Sequence, residues 1–333
     1  MNEKTTRRFL TSALVGVSLL FSACLSKPNE ATPTLSLEEY RSKLDQALND
    51  PMKRSKLIAK VLGTTDDGER HAYLKFHVFG FAGEGNIVPF FSMNNYVIQD
   101  WTQVEEGEFD VQHREVAYYS KFDSLEPISE WENPFTGEVV DLPHFVLGPV
   151  PRYYGLDPSD TKASFASDPL NITMIGDRVY VPTLTVIAFP NTLTPDEWGP
   201  YSNGPVTYWD SMIVYSAEAA DVFDENKSHV DAEIHMQNLV SWAPNLKMGQ
   251  HPGRTMVRAY GQHISGFDEL PDEVRKNLET YTPEIFDENW SDLRMDTIEL
   301  VENLTTAREN GTLDIDQEDY VPFEVDLTRV DTE

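Results

Sequence analysis

Apolar and polar residues alternate with a period of two along most of the chain between residues 71 and 264, the mark of half-buried β-strands. Ala72, Leu74, Phe76 and Val78 alternate with Tyr73, Lys75, His77 and Phe79. A long strand-like run over 86–101 follows, with a bend expected at Pro89. The next strand, over 109–119, places Phe109, Val111, His113, Glu115, Ala117 and Tyr119 on one side. Asn133-Pro-Phe-Thr-Gly137 then reads as a tight turn, entered from Trp131 and left through Val139-Val140. The run through His144 and Phe145 is expected to end at Gly148-Pro149. A second hairpin turns at Gly176-Asp177 between runs over 172–175 and 178–188. Further strands are expected over 206–215, 229–239 and 256–264, and a short helix over 217–226.

The two ends carry a helical period. Ser36-Leu-Glu-Glu39 is a capping box, and Leu37, Tyr40, Leu44 and Leu48 repeat behind it. Pro51 is expected to stop that helix, with a second over 52–62. Pro271, Asp272 and Glu273 open a later helix with the stripe Val274, Leu278 and Tyr281. Another is expected over 291–310, with Leu293, Leu300, Val301 and Leu304 facing inward. The pattern has no βαβ rhythm and no glycine-rich phosphate loop. It predicts a mainly β (α+β) fold, an antiparallel β-barrel or strongly curved sheet with helices at both ends. The β core spans about 65–265 and the C-terminal helices about 270–311.

Charge narrows the function classes. With 56 acidic and 26 basic residues the net charge is −30, so a basic nucleic-acid-binding face is not expected. The amino terminus changes the picture more. Lys4, Arg7 and Arg8 precede an apolar run over 9–21, too short to span a bilayer comfortably. It ends in Leu20-Phe21-Ser22-Ala23-Cys24, which resembles the lipobox of bacterial lipoproteins, and Cys24 is the single cysteine of the chain. The expectation is a signal peptide over 1–23, lipidation of Cys24, a tether over 24–35 and one globular domain over 36–333. That implies a periplasm-facing lipoprotein of the cell envelope, held to the membrane through Cys24. Leu25 after the cysteine favours the outer membrane, and both the general and the twin-arginine export routes stay open.

Several residues are candidates for chemistry. His113 and Glu115 share a strand face with apolar residues, where burial would perturb both groups. They are read either as acid–base groups, together with His144, or as side chains that tie strands together. Tyr119, Trp131 and Trp242 are candidates to line a ligand pocket, while the two tryptophans read first as core anchors. His229, Asp231, Glu233 and His235 fall on one side of an alternating run and carry the ligand types that suit zinc, iron or manganese. Same-face neighbours on a strand lie about 6.5–7 Å apart, so two of the four can share a metal, but all four cannot without help from elsewhere. A wet polar strand face explains the same pattern. No cofactor is specified, and no Gly-x-Ser-x-Gly or mature free cysteine offers a nucleophile.

Trp-Glu-Asn-Pro-Phe-Thr-Gly-Glu at 131–138, with Arg-Glu-Val-Ala-Tyr-Tyr at 114–119 before it and His144 after it, resembles domain-of-unknown-function family 1838. Ser241-Trp242, Lys247-Met248-Gly249, Pro252-Gly253 and Gly261 resemble the later motif of the same family. The resemblance covers roughly 65–285 and implies no activity. Three readings therefore stand: a lipid-anchored binder of a small, mostly apolar molecule, an acid–base enzyme on the same scaffold, or a structural envelope lipoprotein.

Overall fold

The computed structural model describes residues 35–82, 87–157, 171–286, 290–313 and 315. The expected signal peptide, Cys24, nearly all of its tether and the acidic last residues lie outside them. The chain opens with two helices, α1 (Leu37–Leu48) and α2 (Pro51–Leu62). Ser36 and Glu39 close the expected capping box around the first turn of α1. Pro51 does more than stop α1: it is the first residue of α2, capped by Asp50, where proline's missing N–H costs nothing.

Nine strands then form one antiparallel sheet that curls into a half-barrel. In chain order they begin with β1 (Gly68–Ala82), β2 (Ile87–Glu105) and β3 (Glu108–Lys121). A separate small hairpin follows, β4 (Glu130–Glu132) with β5 (Val139–Asp141), and then β6 (Phe145–Tyr154). Next come β7 (Thr173–Ile175), β8 (Arg178–Pro190), the short helix α3 (Pro195–Trp198), β9 (Val206–Glu218) and the helical turn α4 (Ala219–Val222). The strands end with β10 (Glu233–Val240) and β11 (Gly253–Ile264). The spatial order is β6-β3-β2-β1-β11-β10-β9-β8-β7. Helices α5 (Asp272–Tyr281) and α6 (Thr297–Glu309) finish the described chain.

The register assigns every strand residue to a face, because residues directly opposite each other share one. On the inner face Trp101, Gln99, Val97, Asn95 and Met93 of β2 oppose Val111, His113, Glu115, Ala117 and Tyr119 of β3. The same face continues through Leu74, Gly261, Ile234, Tyr215 and Val181 of β1, β11, β10, β9 and β8. Tyr40, Leu44, Leu57 and Val61 of α1 and α2 belong to one core with the lower inner residues Trp101, Phe109, Val111 and Val179. The outer face of β2 and β3 packs Tyr96, Ile98, Val116 and Tyr118 under Val274 and Leu278 of α5 and Trp290.

Three local expectations need correction. The strand after His144 does not end at Gly148-Pro149 but runs through it to Tyr154, with one extra residue bulged opposite β3 between His113 and Glu115. Only the stretch from Glu233 onward of the alternating run at 229–239 is strand. The last helix begins at Thr297, capped by Asp296, and buries none of its residues, so Leu300, Val301 and Leu304 do not form an inward core stripe.

Candidate functional site

The sequence singled out His113 and Glu115, and the structure makes them the middle of an oriented chain of side-chain hydrogen bonds on the inner face. Its direction follows from chemistry alone. The indole of Trp101 can only donate, and it donates to Oε1 of Gln99 at 3.2 Å. That fixes the amide of Gln99, whose Nε2 therefore donates to Nδ1 of His113 at 3.2 Å. Nδ1 is thus an acceptor, so His113 is neutral and carries its proton on Nε2. From there it donates to Oε1 of Glu115 in a short contact. A carboxylate only accepts, so Asn95 must turn its Nδ2 toward Oε2 of Glu115, at 3.1 Å.

The charges agree with this chain. Burial, reinforced by the nearby Arg152, keeps the His113 imidazole below its usual range. Burial pushes the Glu115 carboxyl up, but His113, Arg152 and the Asn95 hydrogen bond together outweigh it and bring the group down to about 2. The pair is therefore a neutral imidazole beside an ionised carboxylate. Both His113 nitrogens and both Glu115 oxygens are engaged by protein groups. The Glu115 side chain still keeps 19 % of its exposure, while His113 keeps 4 %.

The chain ends on an unmatched group. Asn95 is wholly buried, and its Oδ1 has no hydrogen-bond partner among the described residues. Tyr215 reaches this centre from the far side of the sheet. It lies five strands from β3, yet its hydroxyl is raised by burial and feels Tyr154, Arg152 and Glu115. The curl of the sheet thus brings β9 back over β3 and β6. One register row above Asn95 lies a belt of partly exposed inner side chains: Tyr119, Met93, Met236, Ile213 and Thr183. The Tyr119 hydroxyl is pushed up to about 12 by burial.

The other candidates sit elsewhere. His144 does not join His113 and Glu115. It lies against Tyr281 of α5, with ring centres 5.6 Å apart, on the opposite face of the sheet. Burial lowers its basicity, partly countered by Glu284, and its Nδ1 is unpartnered among the described residues. Trp131 and Trp242 are core anchors in an aromatic cluster at the upper end of the half-barrel, both packed on Phe90 at 4.6 and 6.2 Å. The Trp242 indole is used up by the carbonyl of His251 at 2.9 Å. Trp242 also borders an open cleft of about 280 Å³ with Asn203, Tyr208 and Arg254.

His229 and Asp231 precede the strand that carries Glu233 and His235, and all four are exposed. Asp231 and Glu233 face arginines, Arg70 at 3.9 Å and Arg178 at 3.3 Å, and His235 packs edge-on against Tyr260. Among the described residues, no three His, Cys, Asp or Glu side chains gather as a metal-binding group.

Sequence reasoning missed Asn95, Gln99, Arg152 and Tyr215. The signal was present in β2, where the inward positions Met93, Asn95, Val97, Gln99 and Trp101 include two amides where apolar residues are the rule. Arg152 was hidden because its strand was expected to have ended before it.

Residues 71–296 match the family DUF1838, described as a protein of unknown function. No curated protein matches the chain.

Proposed function

Because the chain belongs to the DUF1838 family, which is defined by no activity, we propose its function from the site itself: the inner face holds a small, mostly apolar molecule by a polar group that donates to Asn95. The carrying observation is the oriented chain from Trp101 to Asn95, which leaves one buried acceptor, Asn95 Oδ1, unmatched among the described residues. A buried polar atom without a partner costs about 1–3 kcal/mol, a cost that a bound donor removes. Met93, Met236 and Ile213 supply apolar surface one row away, and the two methionines are flexible enough to move aside for a guest. Binding is favoured over acid–base catalysis because both His113 nitrogens are already hydrogen-bonded, to Gln99 and Glu115, and Glu115, held down to about 2, is a weak base. The amino-terminal run ending in Cys24 supports placing this binder in the cell envelope, anchored to a membrane by lipid.

Native mass spectrometry of the full chain, purified from the cells that make it, tests the reading. An organic adduct that leaves on denaturation is expected, with lower occupancy in Asn95→Leu. A bare mass in both proteins, unchanged by adding small apolar alcohols, sinks it.

A further inference from the structure

A second buried amide lies on the same inner face. Asn238 of β10 is 3 % exposed, and its Oδ1 has no partner among the described residues. Directly opposite it on β9 stands Ser211, and directly opposite Ser211 on β8 stands Thr185. Thr255, one register step further on β11, has a buried hydroxyl that is likewise unpartnered. Four polar side chains therefore lie on one inner patch. Side chains of directly opposed residues on neighbouring strands have Cβ atoms about 4.5–5.5 Å apart, close enough for one guest group to reach several of them.

The register gives the relation between the two amides. Asn95 is level with Leu74, Gly261 and Ile234. Asn238 is level with Val257 and Val78, two rows higher. The row between them holds Tyr119, Met93, Phe76, Met236, Ile213 and Thr183. It is apolar apart from one phenol and the Thr183 hydroxyl, and that hydroxyl donates to the Ile213 carbonyl. Two rows make about 13 Å along the strands, and three strand spacings about 14 Å across, so the amides are within roughly 20 Å even on a flat sheet. The curl shortens that span.

Resting on the binding reading above, we infer that the guest is a neutral, elongated molecule with an apolar middle and a hydrogen-bonding group at each end, of the class of long-chain diols and hydroxy-amides. The Asn95 end takes a donor, since the Glu115 carboxylate holds the Nδ2 of that amide and leaves its oxygen as the free end. A carboxylate guest is disfavoured there, because it would place acceptor against acceptor beside an ionised Glu115. An ammonium group gains little, because the Glu115 charge is already answered by Arg152. The Asn238 end, with three hydroxyl side chains on the same patch, suits a hydroxyl or an amide.

Calorimetry on the full chain with three probes decides the matter: a long-chain α,ω-alkanediol, the matching mono-alcohol and the matching fatty acid. The diol is expected to bind about tenfold more tightly than the mono-alcohol, the worth of one further hydrogen bond. The fatty acid is expected to bind most weakly. Asn238→Leu should bring the diol down to the mono-alcohol, and Asn95→Leu should weaken both alcohols. Asn238→Ala serves the same comparison if leucine does not fit the fold. Equal affinity for diol and mono-alcohol, or a diol affinity untouched by both Asn238 variants, overturns the two-ended guest while leaving a binding site in place. Failure of all three probes to bind overturns the binding reading and this inference with it.

Discussion

Gly148 sits against the backbone of His113: a Cβ built on it would lie 2.4 Å from the His113 carbonyl oxygen. With φ at +106° it is the residue that lets β6 bulge between the partners of His113 and Glu115. The bulge shifts the rest of β6 by one residue and so brings Arg152 onto the inner face opposite Val111. Gly148→Ala is expected to cost about 3 kcal/mol or more, from the left-handed backbone and the contact together. Denaturant unfolding measures it, and a loss below about 1 kcal/mol contradicts the role given to this glycine.

Acid should destabilise the fold in two stages. His263 is held down to about 4 by burial and by Arg70, against an ordinary 6.5. The unfolded chain therefore binds this proton first, and the stability due to neutral His263 is complete above about pH 6.5 and lost as the pH falls through 4. Glu115, held at about 2 against 4.5, contributes stability that is complete above 4.5 and lost as the pH falls through 2. Each is worth about 3 kcal/mol on the linkage relation. Unfolding midpoints measured across this range should begin to drop near pH 6.5, and His263→Gln should flatten the first stage. An unchanged first stage in that variant removes His263 as its cause.

The tautomer of His113 follows from an indole two side chains away. Long-range nitrogen–proton NMR should find His113 neutral with its proton on Nε2. Trp101→Phe removes the donor that orients Gln99, so a mixture of tautomers is expected, with a stability loss of about 1–3 kcal/mol. A proton found on Nδ1 in the unmodified protein means that the chain of hydrogen bonds runs another way.

Much of this architecture was legible in the alternation. The capping box at Ser36, the hairpin at Gly176 and the strand face shared by His113 and Glu115 all follow from local chemistry, and all appear as expected. What escaped was non-local. Gly148-Pro149 has the chemistry of a strand end, and only the pairing of β3 with β6 turns it into a bulge. His144 follows the family-like turn, but it stands just before β6 and packs against Tyr281 of α5, away from His113. The alternation at 229–239 marked a polar side without revealing that it faces outward. Asn95 and Gln99 matter because of what lies across the strand pair, which a single run of sequence does not state.

Glu115→Gln should invert the preference of the site rather than abolish it. The new amide would still accept from His113 through its oxygen. Its nitrogen, facing Asn95, would turn that amide over, so that Nδ2 in place of Oδ1 is left unmatched. A long-chain ketone, which only accepts, is then expected to gain about tenfold in affinity, while the mono-alcohol gains nothing. Parallel losses for both probes would show that Glu115 does not set the polarity of Asn95.

The most direct measurement is a crystal structure of the protein purified with whatever it carries. The expected result is density for an organic molecule on the inner face, with a donor atom within hydrogen-bond distance of Asn95 Oδ1 and its body along Met93 and Met236. An inner face closed by protein side chains, with Asn95 Oδ1 satisfied by ordered water alone, contradicts the binding site.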